Sequence, residues 1–345
     1  MSVVNLKGFD ELSKDEEEHA LHLHRRSIVI DCSVVVKQED AYFDRARKGG
    51  ITTHNHTVTD VRENLPEAVK TIGGFLRWVH INRDRGLVAL MAEDIVRAKR
   101  EGRVAFILGP QNANFLEEDV GLVHAFHALG VRVLQLTYQY RNQLGDGCGE
   151  RTDCGLSKFG VRAVEEMNMV GIVVDLSHVG PATTADAMEV SKDPVIFSHS
   201  HPRALKPHVR NRTDEELQAL AEKGGVIGIT AYSPICELEE GMRPGVVEYL
   251  RHIDYVVDLI GVDHVGIGLD IDETGTAEQW EEFRASYPEL TGGYSFVTKR
   301  VEDLETVAKA PNITKGLVAR GYSDAEIEKI LGENFLRVFR KVWGG

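Results

Sequence analysis

The stretches GIVVDLSH (171–178) and PVIFSHS (194–200) decide how this chain of 345 residues reads. Each is a short run of Val, Ile and Phe, apolar on both faces, that closes on a polar cluster holding His178 or His199. A strand apolar on both faces is covered on both sides, the habit of parallel sheets clothed in helices. Outward from these two, the same pattern recurs as SIVID (27–31), ITTHNHTVT (51–59), VAFILG (104–109), VRVLQLTY (131–138), GVIGITAY (225–232) and HVGIGLD (264–270), eight runs in all.

Helical segments separate the runs. Ser157 precedes FGVRAVEEMNMVG, whose apolar residues recur at three and four. Thr213 and Glu216 form a capping box before LQALAEKGG, and Gly224 suits the stop. VVEYLRHIDYVVDLIG (246–261) has a long apolar stripe, and Ser323 with Glu326 caps a last helix. Eight such strands alternating with helices predict an α/β fold of the (β/α)8 TIM-barrel type. An open doubly wound sheet lacks its marks, since neither G-x-G-x-x-G nor a Walker lysine loop follows the first run. Residues 271–300 read as an insertion loop and 301–345 as C-terminal helices. No Pro/Gly/Ser-rich linker divides the chain, so 1–345 reads as one domain.

Composition excludes several classes. With 40 basic and 54 acidic residues the net charge is −14, the wrong sign for tracking phosphates, so no nucleic-acid partner is expected. No window approaches 18 uninterrupted apolar residues, so no membrane span is expected. Four cysteines are too few for a disulfide scaffold, and Cys148 and Cys154 match no common zinc spacing. The stretch MSVVNLKGFDELSKDEEEHALHLHRR (1–26) has no apolar signal core, which predicts a cytoplasmic protein.

In a parallel barrel the active site lies at the C-terminal ends of the strands. Here those ends carry Asp175-Leu-Ser-His178, Ser198-His199-Ser200-His201, Leu269-Asp270, Thr137-Tyr138 and Gly109-Pro-Gln111-Asn112. Two histidines from adjacent runs and Asp270 suit a divalent metal. Neutral imidazoles supply ligand nitrogens, and the carboxylate binds the ion or moves a proton. His54 and His56 share one face of their run. They chelate if that face is the barrel interior and pack if it is not.

At this point the chain resembles the renal-type (membrane) dipeptidases, metal-dependent barrels of the amidohydrolase kind. The resemblance rests on GLSKFGVRAVEEMNMVGIVVDLSHVG (155–180), PVIFSHSHPRAL (194–205), VRNRTDEEL (209–217), GVDHVGIGLDID (261–272) and GENFLRVF (332–339), in order along the chain. In that family a binuclear zinc centre polarises a dipeptide carbonyl and generates hydroxide. The resemblance implies that His178 and His199 hold metal, that Asp270 handles protons and that Arg210 binds the substrate carboxylate. A guanidinium fork meets a carboxylate bidentately, which suits it to that task. A homodimer or larger assembly is implied as well.

The sequence departs from the family in three places. The D-G-H-x-D pattern that ends the family's first strand is Asp31-Cys32-Ser33-Val34-Val35 here, so the ligand positions are Ser33 and Val35. The family's bridging glutamate falls at Gln111, and a substrate-contacting histidine at Tyr138. Two dications about 3.5–4 Å apart need anionic ligands between them. The expectation is therefore a mononuclear site on His178 and His199, one divalent ion per chain with zinc first, and His56 or Cys32 as extra ligands. Tyr138, Gln111 and Asn142 are expected to contact substrate.

Three functional readings stay open on these residues. The first is a metal-dependent hydrolase cleaving an amide in a dipeptide or a similar small carboxylate-bearing molecule. The second keeps the barrel but runs lactone hydrolysis or a lyase step, because fold does not fix chemistry. The third is a metal-free binding protein.

Overall fold

Ten strands carry the fold. They are β1 (Ile30–Val35), β2 (Thr53–His56), β3 (Gly86–Val88), β4 (Val104–Leu108), β5 (Val133–Gln135), β6 (Val173–Asp175), β7 (Ile196–Ser200), β8 (Val226–Ile229), β9 (Val265–Ile267) and β10 (Ile271–Asp272). A computed structural model of the chain describes residues 9–344. All strand pairs are parallel, in the order β3-β4-β2-β1-β9-β8-β7-β6-β5, with β10 on β1. A parallel bridge between Leu108 at the end of β4 and Val131 just before β5, with Arg132 N–H donating to Leu108 O at 3.1 Å, closes the sheet. β1, β2, β4, β5, β6, β7, β8 and β9 thus follow one another around a TIM-type barrel, and these eight are the eight apolar runs.

β3 and β10 are additions to that reading. β3 pairs with the lower half of β4 through Gly86–Val104, Leu87–Ala105 and Val88–Phe106. It fills the seam where β4 and β5 splay, and Arg132 clamps it by donating from Nε to Leu90 O at 2.8 Å. Three residues among charged neighbours carry too little periodicity to be read as a strand.

The barrel axis is filled by Ile30, Cys32, Ala105, Ile107, Val133, Val173, Ile196 and Val226. Phe335, Leu336 and Phe339, from the C-terminal helix Asn334–Trp343, continue this cluster and plug the end where the strands start. The plug fits closely, because a Cβ on Gly266 would stand 2.4 Å from the Phe335 ring. A second, larger apolar layer lies between the strands and the surrounding helices.

The helix signals hold. Ser157 caps Lys158–Val170, Thr213 and Glu216 form a capping box on Asp214–Glu222, and Ser323 and Glu326 form another on Asp324–Glu328. The apolar stripe becomes the helix Val246–Ile260. Residues 271–300 are not a bare loop. They hold β10 and the helices Ala277–Ser286 and Pro288–Thr291, which lie over the open end of the barrel. Among the described residues no helix is long and apolar enough to cross a membrane.

Candidate active site

The side chains at the C-terminal strand ends surround a cavity of about 640 Å³, roofed by the 271–300 segment. At its floor His178, after β6, and His199, in β7, bring their Nε2 atoms to 3.0 Å. The other ring nitrogens are occupied. His178 Nδ1 lies 2.8 Å from Gln139 Oε1, and His199 Nδ1 lies 2.7 Å from Ser198 Oγ. The Ser198 hydroxyl donates to Asp175 Oδ2, so it accepts from the His199 ring. Gln139 Oε1 can only accept. Both imidazoles are therefore held as Nδ1–H tautomers with their Nε2 lone pairs facing. Burial, with Arg210 second, pushes His199 down to about 3 and His178 well below its ordinary value, so neither ring takes a proton to relieve the opposition. A cation between the two rings does relieve it. Two imidazoles on one tetrahedral zinc, at about 2.0–2.1 Å each, have nitrogens roughly 3.3 Å apart.

Backbone strain concentrates here. His178, Asp270 and Gln139 all have left-handed backbones, with φ of 61°, 55° and 58°. For residues with a Cβ each such position costs about 1–3 kcal/mol, and such strain clusters at functional sites. The backbone just after β9 comes close to β7 and fixes the pair further: a Cβ on Gly268 would stand 1.9 Å from Ser198 O.

Asp270 sits across the cavity floor, half-buried. Its Oδ1 accepts from Ser33 Oγ at 3.1 Å. Ser33 Oγ in turn accepts from Gln111 Nε2 at 3.1 Å, and the same amide donates to Thr57 Oγ1 at 2.9 Å. Ser33 and Gln111, where the family pattern has second-metal ligands, thus form a neutral hydrogen-bonded chain that ends on Asp270. Val35 lines the cavity beside it. Burial raises the Asp270 carboxyl above its ordinary value, and Arg210 opposes the rise.

Arg210 is buried below the cavity surface. Nη2 donates to His199 O at 3.0 Å, while Nη1 meets no partner. Tyr138 lies face to face on His178, ring centroids 4.1 Å apart, and edge to face with Tyr287 of the roof. Burial and then Asp270 push its phenol far up, so the O–H stays protonated. Roof and barrel are stitched together: Tyr140 Oη donates to Ser286 O at 3.2 Å, and His208 Nε2 donates to Glu289 O at 2.7 Å. Trp280, Phe283 and Tyr287 line the roof's inner side.

The structure thus brings His178, Asp270, Arg210, Tyr138 and Gln111 to one cavity wall, with His199 Nε2 facing His178 Nε2 behind it. It does not bring Asn142, Cys32 or a free His56 nitrogen to the pair. Asn142 spends its amide on Asn112 Oδ1, Leu136 O and the Leu144 N–H, bracing the loop after β5. Cys32 is packed on the barrel axis. His54 and His56 pair with Phe106 and Leu108 on the outward side of the barrel. His56 reaches the cavity edge, but its ring lies on Phe75 and its Nδ1 accepts from Val36 N–H. Among the described residues, no third His, Cys, Asp or Glu donor stands within 4.8 Å of both His178 and His199. Gln139 was not foreseen as the support of His178. Lys299, buried at the cavity wall over the Trp280 ring at 4.5 Å, was not foreseen either.

Comparison with known proteins agrees with this geometry. The profile of the membrane dipeptidases (peptidase family M19) matches residues 51–293 and 289–343. The chain is 34% identical to the dipeptidase tcpJ of Claviceps purpurea over 77% of this chain and 57% of that protein. It is 32% identical to the dipeptidase verJ of Clonostachys rogersoniana over 84% of this chain and 68% of that one. The chain thus spans little more than half the length of the first of these relatives. An amidohydrolase structure from Pseudomonas aeruginosa superposes with a TM-score of 0.88 at 36% identity, covering 94% of this chain and 99% of that one. With the profile running from β2 to the last helix, the chain belongs to the membrane dipeptidase family, M19.

Proposed function

We propose that this protein is a metal-dependent hydrolase that cleaves the amide bond of a dipeptide or a similar small carboxylate-bearing molecule, using one divalent ion. The observation that carries the reading is the pair of opposed Nε2 lone pairs on His178 and His199, with Arg210, whose Nη1 is unpartnered, tied through Nη2 to His199 O. The two imidazoles would hold the ion, zinc first, with positions left for water and substrate. When bound, the ion supplies Lewis acidity to the amide carbonyl and lowers the pKa of a water.

The protein's own groups do the rest. Arg210 Nη1 pairs with the substrate carboxylate and sets the register of the amide. Asp270, whose raised pKa suits both roles, takes the proton of the attacking water and returns it to the leaving nitrogen as the C–N bond breaks. Tyr138 donates its phenolic proton in a hydrogen bond to the oxyanion. The aromatic roof keeps bulk water from the reacting atoms. The uncharged Ser33–Gln111–Thr57 chain and Val35 supply no anion for a second cation, which supports one ion and not two. The facing lone pairs argue against a metal-free binding protein.

The test is metal content per chain on protein purified without added metal, compared with the His178→Ala/His199→Ala variant, together with turnover of parallel panels of dipeptides and lactones. A loss of about one equivalent in the variant, with dipeptide turnover in the parent, is expected. A loss of two equivalents would overturn the nuclearity of the mouth, and turnover of lactones alone would overturn the substrate class.

A further inference from the structure

A second set of donors lies behind the mouth and plays no part in the chemistry above. His201 follows β7, Cys236 ends the short helix Ser233–Cys236, and His252 sits in the helix Val246–Ile260. One ligand atom from each lies within 4.8 Å of the other two, and all three residues are fully buried. The rings of His201 and His252 are 4.1 Å apart between centroids.

The hydrogen bonding of this cluster is incomplete. His252 Nε2 donates to Cys236 O at 2.8 Å, which leaves the Nδ1 lone pair free, and Nδ1 has no partner. Neither ring nitrogen of His201 has a partner of regular geometry. Cys236 carries a free thiol. A buried polar atom left unpaired costs about 1–3 kcal/mol, and folded proteins tolerate few of them. Two buried rings with such atoms, each offering a ligand atom within 4.8 Å of one thiol, call for a common partner. An imidazole that donates one N–H to a backbone carbonyl and keeps its other nitrogen unpaired has the free donor that metal-ligating histidines use.

We propose that His201, Cys236 and His252 form a second metal site that takes a soft closed-shell ion, copper(I) or zinc(II), as a structural clamp. A thiolate with two imidazoles suits both ions. On binding, the thiol proton leaves to solvent and a metal–sulfur bond forms. Three donors with a single negative charge make a neutral, complete set for copper(I). Zinc(II) takes the same three and a fourth donor. The clamp joins the loop that carries Arg210 to the segment after β8. Asn211 already bridges that junction by donating from Nδ2 to Ile235 O at 3.0 Å.

The test uses the full chain carrying His178→Ala and His199→Ala, so that the mouth pair contributes nothing. It is titrated with copper(I) without oxygen, against a chromophoric chelator, and separately with zinc(II). One equivalent is expected, with an absorption-edge shell of one sulfur and two imidazoles, and a higher unfolding temperature on loading. A three-coordinate copper complex that excludes zinc identifies copper as the ion; tight zinc with a fourth light ligand identifies zinc. Cys236→Ser is expected to lose the sulfur shell, and Cys148→Ser to keep it. If Cys236→Ser fails to fold by circular dichroism, His252→Gln takes its place and is expected to lose one imidazole from the shell. No bound ion in this background, a shell without sulfur, or sulfur kept in Cys236→Ser overturns the proposal.

Discussion

His178 and His199 meet Nε2 to Nε2 at 3.0 Å, and each has its Nδ1 already tied to the scaffold. Two neutral rings so fixed have one use for the free lone pairs, a shared cation. Replacing both with alanine is expected to remove the ion from the mouth. It should lower kcat/KM by roughly 1000-fold, the worth of about 4 kcal/mol of lost electrophilic assistance. Elemental analysis and steady-state kinetics on the same preparations check this.

Gln139 and Ser198 would act on a bound ion through the rings they hold. Gln139→Leu and Ser198→Ala are each expected to weaken metal affinity by about 10–100-fold while leaving the far-ultraviolet circular dichroism unchanged. Competition with a chelator of known affinity reads the change. Unchanged affinity would mean that the rings are oriented by packing alone.

Arg210 keeps Nη1 unpaired in a buried position. Arg210→Met is expected to cost about 2 kcal/mol with a free-carboxylate substrate, roughly 30-fold in kcat/KM, and little with the C-terminally amidated analogue. Arg210→Lys should restore only part, because an ammonium lacks the planar fork.

His24 gives the fold an acid-sensitive joint. Its Nε2 donates to Gly49 O at 2.8 Å and its Nδ1 accepts from Thr314 Oγ1 at 2.7 Å, so the ring is held neutral. Burial lowers its pKa to about 4. The unfolded chain takes this proton near pH 6.5 and the folded one near 4, so the stability is present above 6.5 and is lost as pH falls from 6.5 to 4. Thermal unfolding of metal-free protein should show this slope, and His24→Gln should flatten part of it.

Phe335 plugs the lower end of the barrel and is fully buried. Phe335→Ala should cost about 3–5 kcal/mol in denaturant unfolding. The mouth residues, at the other end of the strands, should keep their metal affinity in the folded fraction.

The barrel was legible because its signal is local. Eight Val/Ile runs and the caps at Ser157, Thr213 and Ser323 each declare themselves within a few residues. β3 was not legible, because three residues hold no period. The placement of His178 and Asp270 around one cavity followed from a topological fact, that parallel strands end on the same side, whereas Arg210, in the loop after β7, was legible only through the family resemblance. Asn142 looked equally polar and equally close to a strand end, yet its side chain is consumed by its own loop.

From the amino-acid sequence alone came the order of strands and helices, the set of polar residues at the strand ends, and the loss of the carboxylates a second mouth ion would need. Those properties depend on residue type and short-range spacing. The tertiary structure decided that Gln139 orients His178 and that Ser33 and Gln111 bond to Asp270. It also turned His56 outward from the barrel and gathered His201, Cys236 and His252 behind the mouth. Each of these depends on the direction of a side chain toward a residue distant in the chain, and only the closed barrel sets those directions.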